Sequence, residues 1–210
     1  MQMRTIETSV HGRFLYEDRG AANLLVGFHG YAELADWNLA ELEKIEGVTD
    51  WSVVAVQGLH PFYTRAGSAV AHWMTSIDRE LAIADNVAYV RNVLAALPAP
   101  ERLVFFGFSQ GASMAARAAA FAARSAGLVM LGGDLPPDVK EAEGVAWPPV
   151  LLARGMSDEW YTDEKFKCDL SYLRGRTAVT PCEFSGGHEW SDAFRSAAAL
   201  FLRGIAAANK

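Results

Sequence analysis

Residues 103–123 constrain the fold more than any other stretch of the chain. Leu103-Val104-Phe105-Phe106 is an apolar run of strand type. Gly107-Phe108-Ser109-Gln110-Gly111 reads G-x-S-x-G, and Ala112 to Ala123 is rich in helix-favouring alanine. Strand, sharp turn and helix in that order are the context a nucleophile elbow requires. The turn holds its serine in a strained backbone geometry. A side chain two residues before or after that serine would clash, so glycine suits Gly107 and Gly111. The turn would lift the Ser109 hydroxyl above a sheet, at the N-terminus of a helix. The simpler alternative is a glycine-rich turn whose serine only caps the helix.

A serine hydroxyl is a poor nucleophile without a base, and the base needs an orienting carboxylate. Behind an elbow of this kind the partners follow in the order acid, then histidine. Of the five histidines (His11, His29, His60, His72 and His188), only His188 comes after Ser109. It sits in Ser185-Gly186-Gly187-His188-Glu189-Trp190, between the strand-like run Ala178 to Phe184 and a C-terminal helical pattern. The expected acid is Asp158. It ends the loop Arg154-Gly155-Met156-Ser157-Asp158 that follows the apolar strand Pro149 to Ala153. Asp134, in Gly132-Gly133-Asp134 after Leu128 to Leu131, is the alternative, because the acid can stand one strand earlier. Asp163 and Asp192 read as helix-start or surface carboxylates.

An oxyanion would need two backbone N–H donors. One is expected from Gln110, directly after the serine. The other is expected from Tyr31, in His29-Gly30-Tyr31-Ala32 after the strand Leu24 to Phe28. His29 then fixes this loop by hydrogen bonds instead of acting as a second base, and the Gln110 side chain has no chemical role.

Alternation along the chain sets the fold class. Strands are expected at Leu24 to Phe28, Ser52 to Gln57, Leu103 to Phe108, Leu128 to Leu131, Val150 to Ala153 and Ala178 to Phe184. An opening hairpin is expected from Thr5 to Val10 and Arg13 to Asp18, around His11-Gly12. Ile83, Val87, Val90, Leu94 and Leu97 recur at helical spacing, as do Phe194, Ala197, Ala198, Phe201, Leu202 and Ile205. Strands separated by helices imply an α/β fold with a mostly parallel sheet and helices on both faces. Functional groups then gather at the carboxyl ends of the strands, where every candidate above falls. No repeat, linker or low-complexity segment interrupts the chain, and residues 1–210 are expected to form a single domain. The alanine-rich helix after Ser109 is narrow on nearly every face, which suits close packing on the sheet with its positive end toward the site.

These motifs resemble the α/β-hydrolase fold, and within it the phospholipase/carboxylesterase family that includes the acyl-protein thioesterases. The resemblance rests on Phe28-His29-Gly30, Gly107-Phe108-Ser109-Gln110-Gly111, Gly155 with Asp158, and Gly187-His188. They span most of the chain in the family's order. The resemblance implies hydrolysis of esters or thioesters through an acyl-enzyme, with no metal and no cofactor. It implies catalytic roles for Ser109, Asp158 and His188 and an oxyanion hole from Tyr31 and Gln110. Three places depart from the family pattern. Tyr31-Ala32-Glu33 stands where glycine and aspartate are usual. Ala153-Arg154-Gly155 replaces the usual histidine-glycine. Glu159-Trp160-Tyr161 replaces small apolar residues and proline. All three are expected at the mouth of the site, where they would alter the substrate and leave the reaction class intact.

Composition narrows the partners. The net charge is −6, from 19 basic and 25 acidic residues, and no basic run appears, so a nucleic acid is not an expected partner. No stretch is long and apolar enough to span a membrane. Met1 to Glu7 lacks the apolar core of a secretory signal, so a cytoplasmic location is expected. Two cysteines, Cys168 and Cys182, are too few for a disulfide framework, so free thiols are expected, with a single bridge between them as the alternative. Asp134 to Trp147 has room for one helix, so a minimally covered site suited to small or flexible esters is expected. Gly58 to Thr75 is expected to form one wall. Trp37, Trp73, Trp147, Trp160, Tyr161 and Trp190 are candidate aromatics, although core packing is the better reading for each. Trp160 and Trp73 are the candidate substrate contacts, and Arg65 is a candidate contact for an anionic group. The expected function is that of a serine carboxylesterase. Thioesterase or lysophospholipase activity on the same residues, another triad hydrolase such as a carbon–carbon hydrolase or peptidase, and a non-catalytic binding protein are the alternatives.

Overall fold

The computed structural model describes residues 1–208. The elements are β1 (Phe14–Glu17), β2 (Asn23–Phe28), α1 (Ala35–Leu42), β3 (Ser52–Val56), β4 (His60–Tyr63), β5 (Ala69–His72), α2 (Arg79–Ala95), β6 (Arg102–Phe108), α3 (Gln110–Arg117), β7 (Gly127–Leu131), α4 (Pro137–Glu141), β8 (Val150–Gly155), α5 (Asp163–Arg174), β9 (Val179–Phe184) and α6 (Asp192–Ala207). Seven strands form one sheet in the order β1-β3-β2-β6-β7-β8-β9. Only β1 runs antiparallel, against β3, and the other neighbours are parallel. β4 and β5 make a separate antiparallel pair.

The central strands are buried on both faces, which explains their unbroken apolar runs. Side chains alternate between two cores. Val26, Phe28, Phe105, Met130 and Leu152 face α2, α3 and α5 through Val90, Met114 and Phe166. Leu25, Phe106, Val129 and Leu151 face α1 and α6 through Leu42, Phe194, Ala198 and Leu202. The helical spacings read near residues 83–97 and 194–205 fall on α2 and α6. Asp163 and Asp192 are the first residues of α5 and α6. Ser191 caps α6 by accepting the Phe194 N–H at 3.1 Å. The segment Asp134 to Trp147 carries one short helix, α4, as its length requires.

Three expectations need correction. No opening hairpin forms. Residues 1–13 belong to no strand, and β1 pairs with β3 instead, Phe14 opposite Val56. Thr5 to Val10 alternates in polarity but is exposed throughout, so no buried face fixes it as a strand. Second, the alanine-rich helix changes character: α3 ends at Arg117 and a π-helical turn occupies Ala118–Ala122. One of its faces carries a long side chain. Arg117, 1% exposed, reaches Asp138 of α4 by two hydrogen bonds of 2.8 and 2.7 Å. Third, Gly58 to Thr75 does not wall the space over Ser109: none of its residues line it, because the segment folds on itself as the β4–β5 pair. Cys168 and Cys182 are both free. Among the described residues, no helix is long and apolar enough to cross a membrane, and no cluster of His, Cys, Asp or Glu could hold a metal ion.

Candidate active site

The elbow forms as its spacing dictates. Ser109, between β6 and α3, has φ 54° and ψ −122°, a conformation rarely open to a residue with a side chain. Its N–H donates to the Leu131 carbonyl of β7 at 2.8 Å, which holds the strained residue in place. A Cβ on Gly107 would stand 2.1 Å from the Gly111 carbonyl oxygen, and one on Gly111 would stand 2.1 Å from that of Phe28. Both glycines are therefore steric requirements of the turn.

Three residues far apart in sequence meet here. The Ser109 hydroxyl is 2.8 Å from His188 Nε2, and His188 Nδ1 is 2.8 Å from Asp158 Oδ2. Asp158 is buried. Its other oxygen, Oδ1, accepts the backbone N–H groups of Trp160 and Tyr161 at 2.8 and 2.9 Å, which fixes the carboxylate. The Phe108 ring packs against the His188 ring, 4.9 Å between centroids. Asp134 is not part of this arrangement. It is exposed, and its carboxylate lies 3.9 Å from Lys165. A hydroxyl, an imidazole and a carboxylate in this chain of hydrogen bonds can move a proton from the serine to the histidine.

The loop after β2 is held from several sides. His29 is buried, and burial lowers its pKa to about 4. Its Nδ1 lies 2.7 Å from the Gly30 carbonyl, while Nε2 accepts the Gly58 N–H at 2.9 Å. Those contacts fit a neutral imidazole with its proton on Nδ1. The Trp73 indole N–H donates to the His29 carbonyl at 2.8 Å. Ala32 N–H donates to the Ala71 carbonyl, and Ala71 N–H donates back to the Glu33 carbonyl. The Gln110 side chain accepts the Trp73 N–H and donates to the Met74 carbonyl, both at 2.9 Å. The Tyr31 and Gln110 backbone N–H groups have no hydrogen-bond partner among the described residues.

A cavity of about 530 Å³ opens over Ser109, lined by Gly30, Tyr31, Glu33, Phe108, Ser109, Trp160 and His188. A larger one, about 680 Å³, lies where β6 begins, between Leu94 and Ala126, and contains no pairing of nucleophile and base. Trp160 is placed at the mouth, as its sequence position suggests. Trp73 is not: it is fully buried and braces the loop instead. Arg65 is exposed in the β4–β5 turn and does not line the cavity. Of the three departures from the family pattern, Tyr31, Glu33 and Trp160 face the cavity. Arg154 and Tyr161 do not. Arg154 is buried against Phe166 and pairs with Glu183 and Asp163. The Tyr161 hydroxyl, its pKa pushed up by burial and by nearby Asp169, donates to Asp169 at 2.9 Å. Phe108 as a wall was not singled out from sequence. It is the variable position inside G-x-S-x-G, which is the signal that could have found it. Trp190 stacks flat on Phe106 in the core, 5.2 Å between centroids.

No protein-family model matches the chain, and no curated protein matches it in sequence. Solved structures do match in shape. Acyl-protein thioesterase 2 of Zea mays aligns with a TM-score of 0.74 at 18% identity, over 93% of this chain and 99% of that one. Esterase PE8 aligns with a TM-score of 0.75 at 24% identity, over 92% and 98%. A phospholipase/carboxylesterase from Dyadobacter fermentans aligns with a TM-score of 0.70 at 20% identity, over 95% and 99%. At these identities the likeness is one of fold, and the fold is that of the α/β-hydrolases.

Proposed function

We propose that this chain is a serine carboxylesterase of the phospholipase/carboxylesterase type, cleaving small or flexible carboxylic esters through an acyl-enzyme. The observation that carries the reading is the pair of 2.8 Å contacts from Ser109 to His188 and from His188 to Asp158, at the floor of the cavity. His188 takes the Ser109 proton as the hydroxyl oxygen attacks the ester carbonyl. The Tyr31 and Gln110 N–H groups receive the oxyanion, and their lack of other partners supports that role. Protonated His188 then gives its proton to the leaving alcohol. Water, activated by the same histidine, attacks the acyl-enzyme and releases the acid. Asp158 keeps the His188 ring oriented and stabilises its charged form. The short Asp134 to Trp147 segment leaves the cavity largely uncovered, which supports a preference for small or flexible substrates.

The test is mass spectrometry after treatment with a fluorophosphonate, beside hydrolysis of p-nitrophenyl acetate, butyrate and octanoate. Stoichiometric labelling at Ser109 with turnover is the expected result. A folded sample with neither would overturn the assignment in favour of a binding protein on a hydrolase scaffold.

A further inference from the structure

Glu33 is out of pattern with the other partly buried acids of this protein. Asp138 is paired with Arg117, Asp169 with Lys140, and Glu41 with Lys44 and Arg195. Glu33 is half-buried yet forms no ion pair among the described residues. Its Oε2 accepts the Gly30 N–H at 2.7 Å, and Oε1 has no hydrogen-bond partner among the described residues. Burial pushes its carboxyl above the usual carboxylate range, opposed by the Gly30 N–H and by nearby His188. Oε1 is not enclosed, so it is open to receive a cationic group from outside the protein.

The cavity itself supplies none. Its lining contains no Lys or Arg, and its one basic group, His188, is engaged by Asp158 and Ser109. Tyr31 and Trp160, 58% and 74% exposed, border the same space as Glu33. A carboxylate beside aromatic side chains attracts a cation by charge and by the ring quadrupoles, and repels an anion.

Resting on the esterase reading, we propose that the site selects esters that carry a cationic, ammonium-type group close to the scissile carbonyl, with Glu33 as the specificity-determining residue. The Glu33 carboxylate receives the cation, and Tyr31 and Trp160 contact the methyl or methylene groups around it. A negative group in the same place meets Glu33 unscreened and is disfavoured. The chain's net charge of −6 works in the same direction on the approach of substrate.

The experiment compares matched esters at about pH 8, above the ordinary carboxylate range. In the alcohol arm, choline butyrate is set against its carbon isostere, in which a tert-butyl group replaces trimethylammonium. In the acyl arm, a p-nitrophenyl ester with a trimethylammonium-terminated chain is set against its tert-butyl counterpart. The readout is the cationic-to-neutral ratio of kcat/KM in wild type and in Glu33→Gln, whose amide still accepts the Gly30 N–H. The ratio is expected to fall by about tenfold or more in at least one arm on Glu33→Gln, the scale of a partly solvated charge contact. A change under about twofold in both arms, with turnover intact, overturns the proposal and leaves the esterase reading standing. A uniform loss on all four esters overturns it in favour of Glu33 stabilising the charged form of His188. No turnover and no fluorophosphonate labelling in wild type overturns the esterase reading and this proposal with it. Should Glu33→Gln fail to fold, protection of wild-type Ser109 from labelling gives the same comparison. Phenyltrimethylammonium is expected to protect and benzenesulfonate not to, and equal protection overturns the proposal.

Discussion

Gln110 and Trp73 are joined by a hydrogen bond from the Trp73 backbone N–H to Gln110 Oε1 at 2.9 Å. The Trp73 indole N–H goes on to the His29 carbonyl at 2.8 Å. One tryptophan therefore ties the residue after Ser109 to the loop that carries Tyr31, so the two proposed oxyanion donors share a brace. Gln110→Met keeps the backbone N–H and removes both side-chain bonds. The expected outcome is a fall in kcat of about tenfold with KM little changed, because the misplaced donor is felt mainly in the transition state. Steady-state kinetics on p-nitrophenyl butyrate check this, and an equal rise in KM with kcat intact would contradict it.

Ser109→Ala removes the nucleophile and leaves the fold in place. The expected loss in kcat is about 10⁴ to 10⁶. Retention of more than about a tenth of wild-type activity, with circular dichroism showing a folded protein, would remove Ser109 from its proposed role.

Asp158→Asn tests the choice between two carboxylates. The amide would favour the wrong His188 tautomer, so kcat is expected to fall by about 10⁴. Asp134→Asn, at an exposed position, is expected to change kcat by less than about twofold. The reverse order of effects would show the acid to be misassigned.

His29 makes stability depend on pH. Its pKa is about 4 in the folded chain, against about 6.5 for an exposed imidazole. The unfolded chain therefore binds a proton that the folded chain refuses, and stability falls as pH drops from about 6.5 toward 4. Between about pH 7 and about pH 5 the contribution is about 2 kcal/mol. Urea unfolding at both values, for wild type and His29→Asn, reads the difference. A variant with the wild-type pH slope would exclude His29 as its source.

Arg117 is buried and Asp138 is its partner. Asp138→Ala strands the guanidinium in the core, and a loss of about 3 kcal/mol is expected. Arg117 lies outside the Ser109 cavity, so KM is expected to hold while the urea midpoint falls. A midpoint within error of wild type would show that solvent reaches the arginine.

How much was legible follows the physics of each feature. Chain-local requirements could be read. The unbroken apolar runs gave the strands buried on both faces, and helical spacing gave α2 and α6. Gly107 and Gly111 announced the elbow, because only hydrogen fits where their Cβ atoms would stand. Chain order placed Asp158 and His188 after Ser109, and the structure brings these three together.

What the sequence could not carry was the direction in which side chains of unlike elements meet. Trp73 and Trp160 are both tryptophans beside candidate residues. Only packing makes one a buried brace and the other an exposed edge of the cavity. Arg154 and Arg65 are equally basic on paper, yet one is enclosed by Glu183, Asp163 and Phe166 and the other is left in a surface turn. Glu33 reads as one acid among 25. Its placement is set by the loop after β2, where it accepts the Gly30 N–H, and by the bridge of its backbone to Ala71 of β5, far along the chain. Local sterics and periodicity are written residue by residue. Burial, charge pairing and the shape of a cavity belong to the assembled sheet, and tertiary contact decided them.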